Sequence, residues 1–311
     1  NQTATICSGT AFTTSPTNNA PTTIIPSNTT YTWTVAPNAS VTGETDQAVG
    51  QSSISQTLTN TTNIVQTVVY TVTPTSGADG NCVGSSFTVT VTVNPIATIA
   101  NKTVSTCSGT GFTVTPSNGG GDIVPSGTTY AWSSLPVVTG GLTGGATATG
   151  QSTINGTLTN PTNLVQTATY TVTPTSGTTG SCVGSSFTVT VTVNPKPVIP
   201  AQSATICSGL AFTVSPINAT PTTATIVPSG TTYTWTVVDN PDVSGDVDQS
   251  TAQTSISQNL INLTNTVQTV VYTVTPASGS AGNCVGASFT LTVTVNPTPV
   301  LPVQTGIICS G

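Results

Sequence analysis

Seven cysteines and eight carboxylates are the side chains of this 311-residue sequence that could carry sharp chemistry, because it has no histidine and only two basic residues, Lys102 and Lys196. The cysteines fall in two series. One opens a "CSG" string at Cys7, Cys107, Cys207 and Cys309; the other lies in "GNCVG" or "GSCVG" at Cys82, Cys182 and Cys284. No CxxC pair or histidine is available to complete a zinc site, and no basic neighbour stabilises a thiolate. Two cysteines per repeat in a chain of this kind therefore read as disulfides formed in an oxidising compartment.

Three connectivities are open. The favoured one pairs cysteines within a repeat, Cys7 with Cys82, Cys107 with Cys182 and Cys207 with Cys284, and leaves Cys309 unpaired. It meets an objection, because the two cysteines of a repeat would sit at opposite ends of a sandwich, whereas a disulfide needs Cα atoms within about 7 Å. A second scheme joins Cys82 to Cys107, Cys182 to Cys207 and Cys284 to Cys309. A third staples the first cysteine of one repeat to the second cysteine of the next.

The acids cluster once, in "VDNPDVSGDVD" at residues 238–248, where Asp239, Asp242, Asp246 and Asp248 are oxygen ligands of the kind Ca²⁺ takes. The matching stretch of the second repeat, residues 135–150, has no acid, so calcium is not a requirement of every repeat, and a solvated turn is the favoured reading. No metal or other cofactor is expected. With no histidine and its lysines in the junctions, the chain offers no nucleophile and base pair, and no enzyme is expected. A lysine isopeptide bond in every repeat is excluded because the first repeat has no lysine. A formal charge of −6 and 3% charged residues argue against nucleic acid, which needs clustered Lys and Arg. No apolar run approaches the ~20 residues of a membrane-spanning helix. Asn-x-Thr sequons such as Asn28 with Thr30 are expected by chance in so Asn- and Thr-rich a chain.

The elements that must position the cysteines repeat with them. Phe12, Trp33, Tyr70 and Phe87 recur as Phe112, Trp132, Tyr170 and Phe187, and as Phe212, Trp235, Tyr272 and Phe289. Such a period defines a tandem array. In "SFTVTVTVNP", residues 86–95, Phe and Val occupy one parity and Thr the other, which predicts a strand with an apolar face and a Thr-covered face. Further strands are predicted at residues 11–16, 29–35, 53–60 and 65–74, with a Gly-rich hairpin between the last two strands of the repeat. No stretch has helical periodicity. The fold class is all-β: three immunoglobulin-like sandwiches over residues 1–97, 98–197 and 198–299, followed by the first strand of a fourth at 300–311. The closing "ICSG" reads as a cut through that fourth repeat. Trp33, Trp132 and Trp235 are expected to anchor the three cores. Pro-spaced junctions beginning at Asn94, Asn194 and Asn296 should be extended and semi-rigid.

The strings "ATICSG", "TTYTWTV", "SISQTLTN", "VQTVVYTVTPTSG", "GNCVGSSFTVTVTVNP" and "NPKPVIP" resemble, over the whole chain, the PKD-like repeats of giant cell-surface adhesins of Bacteroidota, of the gliding-motility and type IX secreted kind. That resemblance implies an extracellular, surface-anchored stalk with no carried-over active site. The partners it leaves are neighbouring repeats of the same chain, identical chains in a filament, or surface glycans bound through exposed aromatics. Aromatics at core parity favour the stalk.

Overall fold

The computed structural model describes every residue except 78–79, 178–179, 280–281, 302, 304 and 307–311. Alternating Val and Thr drives the strands, since β-branched side chains suit a pleated, half-buried surface. The first unit contains β1 (Gln2–Cys7), β2 (Thr10–Thr14), β3 (Thr30–Val35), β4 (Val41–Thr42), β5 (Gln47–Gln51), β6 (Ile54–Asn60), β7 (Gln66–Thr75) and β8 (Phe87–Asn94). The larger sheet runs β1-β8-β7-β3-β5 and the smaller β2-β6-β4. The described residues contain no helix.

The core lies between the sheets. Val89, Val91 and Val93 of β8 are fully buried, with Val68, Tyr70 and Val72 of β7 beside them and Ile54 and Leu58 of β6 opposite. The β8 threonines are half-buried rather than open, because β8 is flanked on both edges by β1 and β7. Trp33, Trp132 and Trp235 are 5%, 2% and 4% exposed, and each indole N–H donates to a backbone carbonyl, that of Thr45, Ala146 or Val247. A buried indole thereby keeps its one donor satisfied.

β1 settles where the cysteines go. It pairs in parallel with β8 of its own unit, from Gln2 opposite Val89 to Cys7 opposite Asn94. Lys102–Cys107 does the same with Phe187–Asn194, and Gln202–Cys207 with Phe289–Asn296. Cys7 therefore lies at the end of the sandwich where the chain leaves, whereas Cys82 precedes β8. An eight-residue strand, roughly 26 Å long, separates the two ends.

Candidate functional site

The junction between units is the most specifically built part of this chain. It starts from the "CSG" turn, which closes the exit end of the sandwich. The Ser8 amide donates to the Asn94 carbonyl and the Gly9 amide to the Leu58 carbonyl, both at 2.8 Å, so the turn bridges both sheets. Gly9 does this with φ of 79°, a conformation that favours glycine. The Ser8 hydroxyl accepts the Asn60 amide at 2.9 Å. Asn60 is buried and its side-chain amide donates to the carbonyls of Ile64 (2.7 Å) and Val93 (3.0 Å). Asn160 and Asn262 make the corresponding bonds.

From Asn94 the chain plugs into the next unit. Ala97 and Ile99, 0% and 8% exposed, belong to the second unit's core together with Tyr130 and Phe187. Between them Thr98 exchanges two backbone hydrogen bonds with Ile123, at 2.8 and 2.9 Å. Val198 and Ile226 repeat this at the second junction, where Ile199 enters the third core. The linkers that follow Asn94 and Asn194 are extended as expected, but each is docked into the next unit rather than a free spacer. The boundary drawn after Ala97 falls inside this docked segment. A Cβ at Gly184 would overlap the Ala97 carbonyl, and one at Gly286 the Pro197 carbonyl, so the close approach requires glycine.

Disulfides close the junctions. Cys7 bonds Cys182 and Cys107 bonds Cys284, with Cα separations of 5.6 and 5.7 Å. The favoured pairing within repeats, Cys7–Cys82, Cys107–Cys182 and Cys207–Cys284, is therefore corrected, and so is the Cys82–Cys107, Cys182–Cys207 scheme. The parallel first strand carries the first cysteine to the exit end, where the entry hairpin of the following unit meets it. Cys82 and Cys207 are free and exposed. Cys309 lies outside the described residues.

The acids have local duties. Asp248 accepts the Val237 amide (2.8 Å) and Asp246 the Asn240 amide (2.9 Å), while Asp239 and Asp242 are exposed. Among the described residues no three His, Cys, Asp or Glu side chains are grouped to hold a metal, so the calcium candidate at Asp239, Asp242, Asp246 and Asp248 does not assemble. Asp122 ties the first linker down. It accepts the Ala100 amide and pairs with Lys102, and these two interactions, the amide first, hold its carboxyl below the usual range. All six tyrosines are pushed up by burial, Tyr233 to about 12.

Sequence reasoning missed Ile123, Ile226, Gly184 and Gly286. Their signal was present in the exact recurrence of "IVPSG" and "CVG" opposite the first two "NP" linkers.

The geometry defines a tandem array of immunoglobulin-like units, docked and stapled in series. Residues 4–97, 104–197 and 202–299 each match the PKD-like domain, and the chain belongs to that family. No curated protein matches it. Solved structures similar in fold include the I67–I69 fragment of titin (9% identity, 96% of each chain covered, TM-score 0.31). Others are the three N-terminal domains of the bacteriophage RB49 outer capsid protein Hoc (14%, 94% of this chain and 96% of that one, TM-score 0.32) and human CDH23 EC21–23 (13%, 94% and 97%, TM-score 0.32). Tandem repeats of this kind fit a structural spacer. No helix among the described residues is long and apolar enough to cross a membrane.

Proposed function

We propose that this chain is a load-bearing stalk segment of a large secreted bacterial cell-surface adhesin or surface filament. The observation that carries this reading is the stapled junction, since a covalent bond beside each of the first two linkers passes tension from one unit to the next without relying on noncovalent docking. The disulfides also suit an oxidising exterior. A sparse charge of 3%, with cohesion left to buried apolar residues and strand pairing, suits a segment exposed to changing water. Recognition of glycan through exposed aromatics gains no support, because the rings are turned inward, all of them buried except Phe87, which is half-buried.

The test is a spacer exchange in the producing cell. Antibody against the three repeats should label intact cells, and replacement of the repeats by an unrelated rigid array of equal length should preserve adhesion. Labelling only after permeabilisation, or loss of adhesion with the replacement, would contradict the stalk.

A further inference from the structure

We propose that the second unit binds a primary carboxamide, the group of a glutamine side chain, in a pocket where each of the other two units holds a glutamine of its own. In the first unit Gln56 fills this place. Its carboxamide oxygen accepts the Tyr70 hydroxyl at 2.8 Å and the Thr45 backbone amide at 3.2 Å, and its nitrogen donates to the Thr45 carbonyl at 2.7 Å. Gln258 of the third unit makes the same three bonds, to the Tyr272 hydroxyl and to the amide and carbonyl of Val247. In both units the tryptophan indole shares that carbonyl.

The second unit keeps the receptor and lacks the glutamine. Trp132 still donates to the matching carbonyl, that of Ala146, at 2.6 Å. Tyr170 is 1% exposed and its hydroxyl has no partner. Gly156 stands at the position of Gln56 and Gln258, and Gly145 at that of Glu44 and Asp246, so two side chains are missing from one spot. The space there is a pocket of about 380 Å³, lined by Trp132, Gly145, Ala146, Gln151, Asn155 and Gly156. The Tyr170 hydroxyl lies behind both glycines, 2.9 Å from a Cβ built on Gly145 and 3.5 Å from one built on Gly156. The exposed carboxamides at the rim are held elsewhere: Gln151 donates to the Thr149 carbonyl and Asn155 to the Thr153 hydroxyl.

A buried hydroxyl without an acceptor carries a desolvation cost that a ligand carbonyl removes. The receptor also sets the chemistry of its ligand. The backbone amide and carbonyl that Gln56 engages belong to one residue, and so do those that Gln258 engages, so oxygen and N–H are offered from the same edge of the carboxamide. A primary carboxamide has that edge. A trans secondary amide turns its N–H away from its carbonyl, and a carboxylate has no N–H. The pocket therefore selects a glutamine side chain over glutamate and over an acetamido group such as that of an N-acetylated sugar. The site does not depend on the stalk reading, and failure of either leaves the other standing.

The experiment titrates the intact, isotopically labelled chain with propionamide and follows the indole N–H resonances of Trp33, Trp132 and Trp235. Expected is a saturable shift of Trp132 alone, at roughly millimolar concentration for so small a ligand, and none with N-methylpropionamide or propionate. Gly156→Gln should abolish the response by filling the site, and Tyr170→Phe should weaken binding about tenfold with melting unchanged. Free glutamine and a capped peptide with one central glutamine then separate the sources. Tighter binding of the peptide places the carboxamide on a polypeptide, and tighter binding of the amino acid makes it a free small molecule. Equal shifts of all three indoles, or equal binding of N-methylpropionamide, would overturn the proposal. So would a response that survives Gly156→Gln or ignores Tyr170→Phe, or no response to any probe.

Discussion

Cys7 and Cys182 are 175 residues apart in sequence and 5.6 Å apart at their Cα atoms, one at the exit of the first unit and the other in the entry hairpin of the second. Peptide mapping without reduction should recover Cys7 with Cys182 and Cys107 with Cys284. Recovery of Cys7 with Cys82 would require the parallel register of β1 on β8 to be wrong.

The second unit should be improvable at one residue. The Tyr70 and Tyr272 hydroxyls donate to Gln56 and Gln258 at 2.8 Å, but Gly156 takes the place of that glutamine, and the Tyr170 hydroxyl is buried without a partner. A Cβ at Gly156 would come 3.2 Å from the Phe112 ring, a crowding that Phe12 and Phe212 tolerate beside glutamine. Gly156→Gln should therefore stabilise the second unit by about 1 kcal/mol, which calorimetry would read as a rise of roughly 4–8 °C in its transition. Tyr70→Phe should cost the first unit about 1 kcal/mol while Tyr170→Phe costs nothing. Equal losses in both would contradict the account.

Stability should be flat across neutral pH and fall at the extremes for different reasons. Asp122 has a folded pKa below its ordinary value, so its contribution is present above the normal carboxylate range and is lost as pH falls through the lowered value. That acid limb belongs to the second unit and should disappear in Asp122→Asn. The tyrosines have raised folded pKa values, so their contribution is complete below their ordinary value of about 10 and is lost as pH climbs beyond it. Between about pH 5 and 9 no shifted group titrates, and with no histidine in the chain the melting temperature should move little. A titration of stability centred near neutrality would contradict this.

The all-β class and the three cores were legible because their signal is local. Val89, Val91 and Val93 alternate with threonine, and a buried period of two leaves one reading of the strand. β1 was not legible in that way. It lies at a sheet edge, its side chains on the inner parity are only half-buried, and its sequence, "QTATIC", alternates weakly. The cysteine connectivity followed from β1 and was lost with it, since parallel pairing with the strand some 87 residues later leaves no mark in the spacing. The linkers were legible as extended through their prolines, but docking of Ala97 and Ile99 into a neighbouring core depends on a surface that only the fold assembles.

Stretching single molecules by their ends, with and without reductant, tests the stapled array most directly. With both bonds intact the shortest covalent path runs 6 residues to Cys7, crosses to Cys182, follows 75 residues back to Cys107, crosses to Cys284 and ends 27 residues later. At about 3.5 Å per extended residue that path reaches about 40 nm, against about 110 nm for the reduced chain of 311 residues. The account predicts an oxidised chain that stops near the shorter length and reaches the longer one only after reduction. Full extension of the oxidised chain, with reductant making no difference, would contradict it.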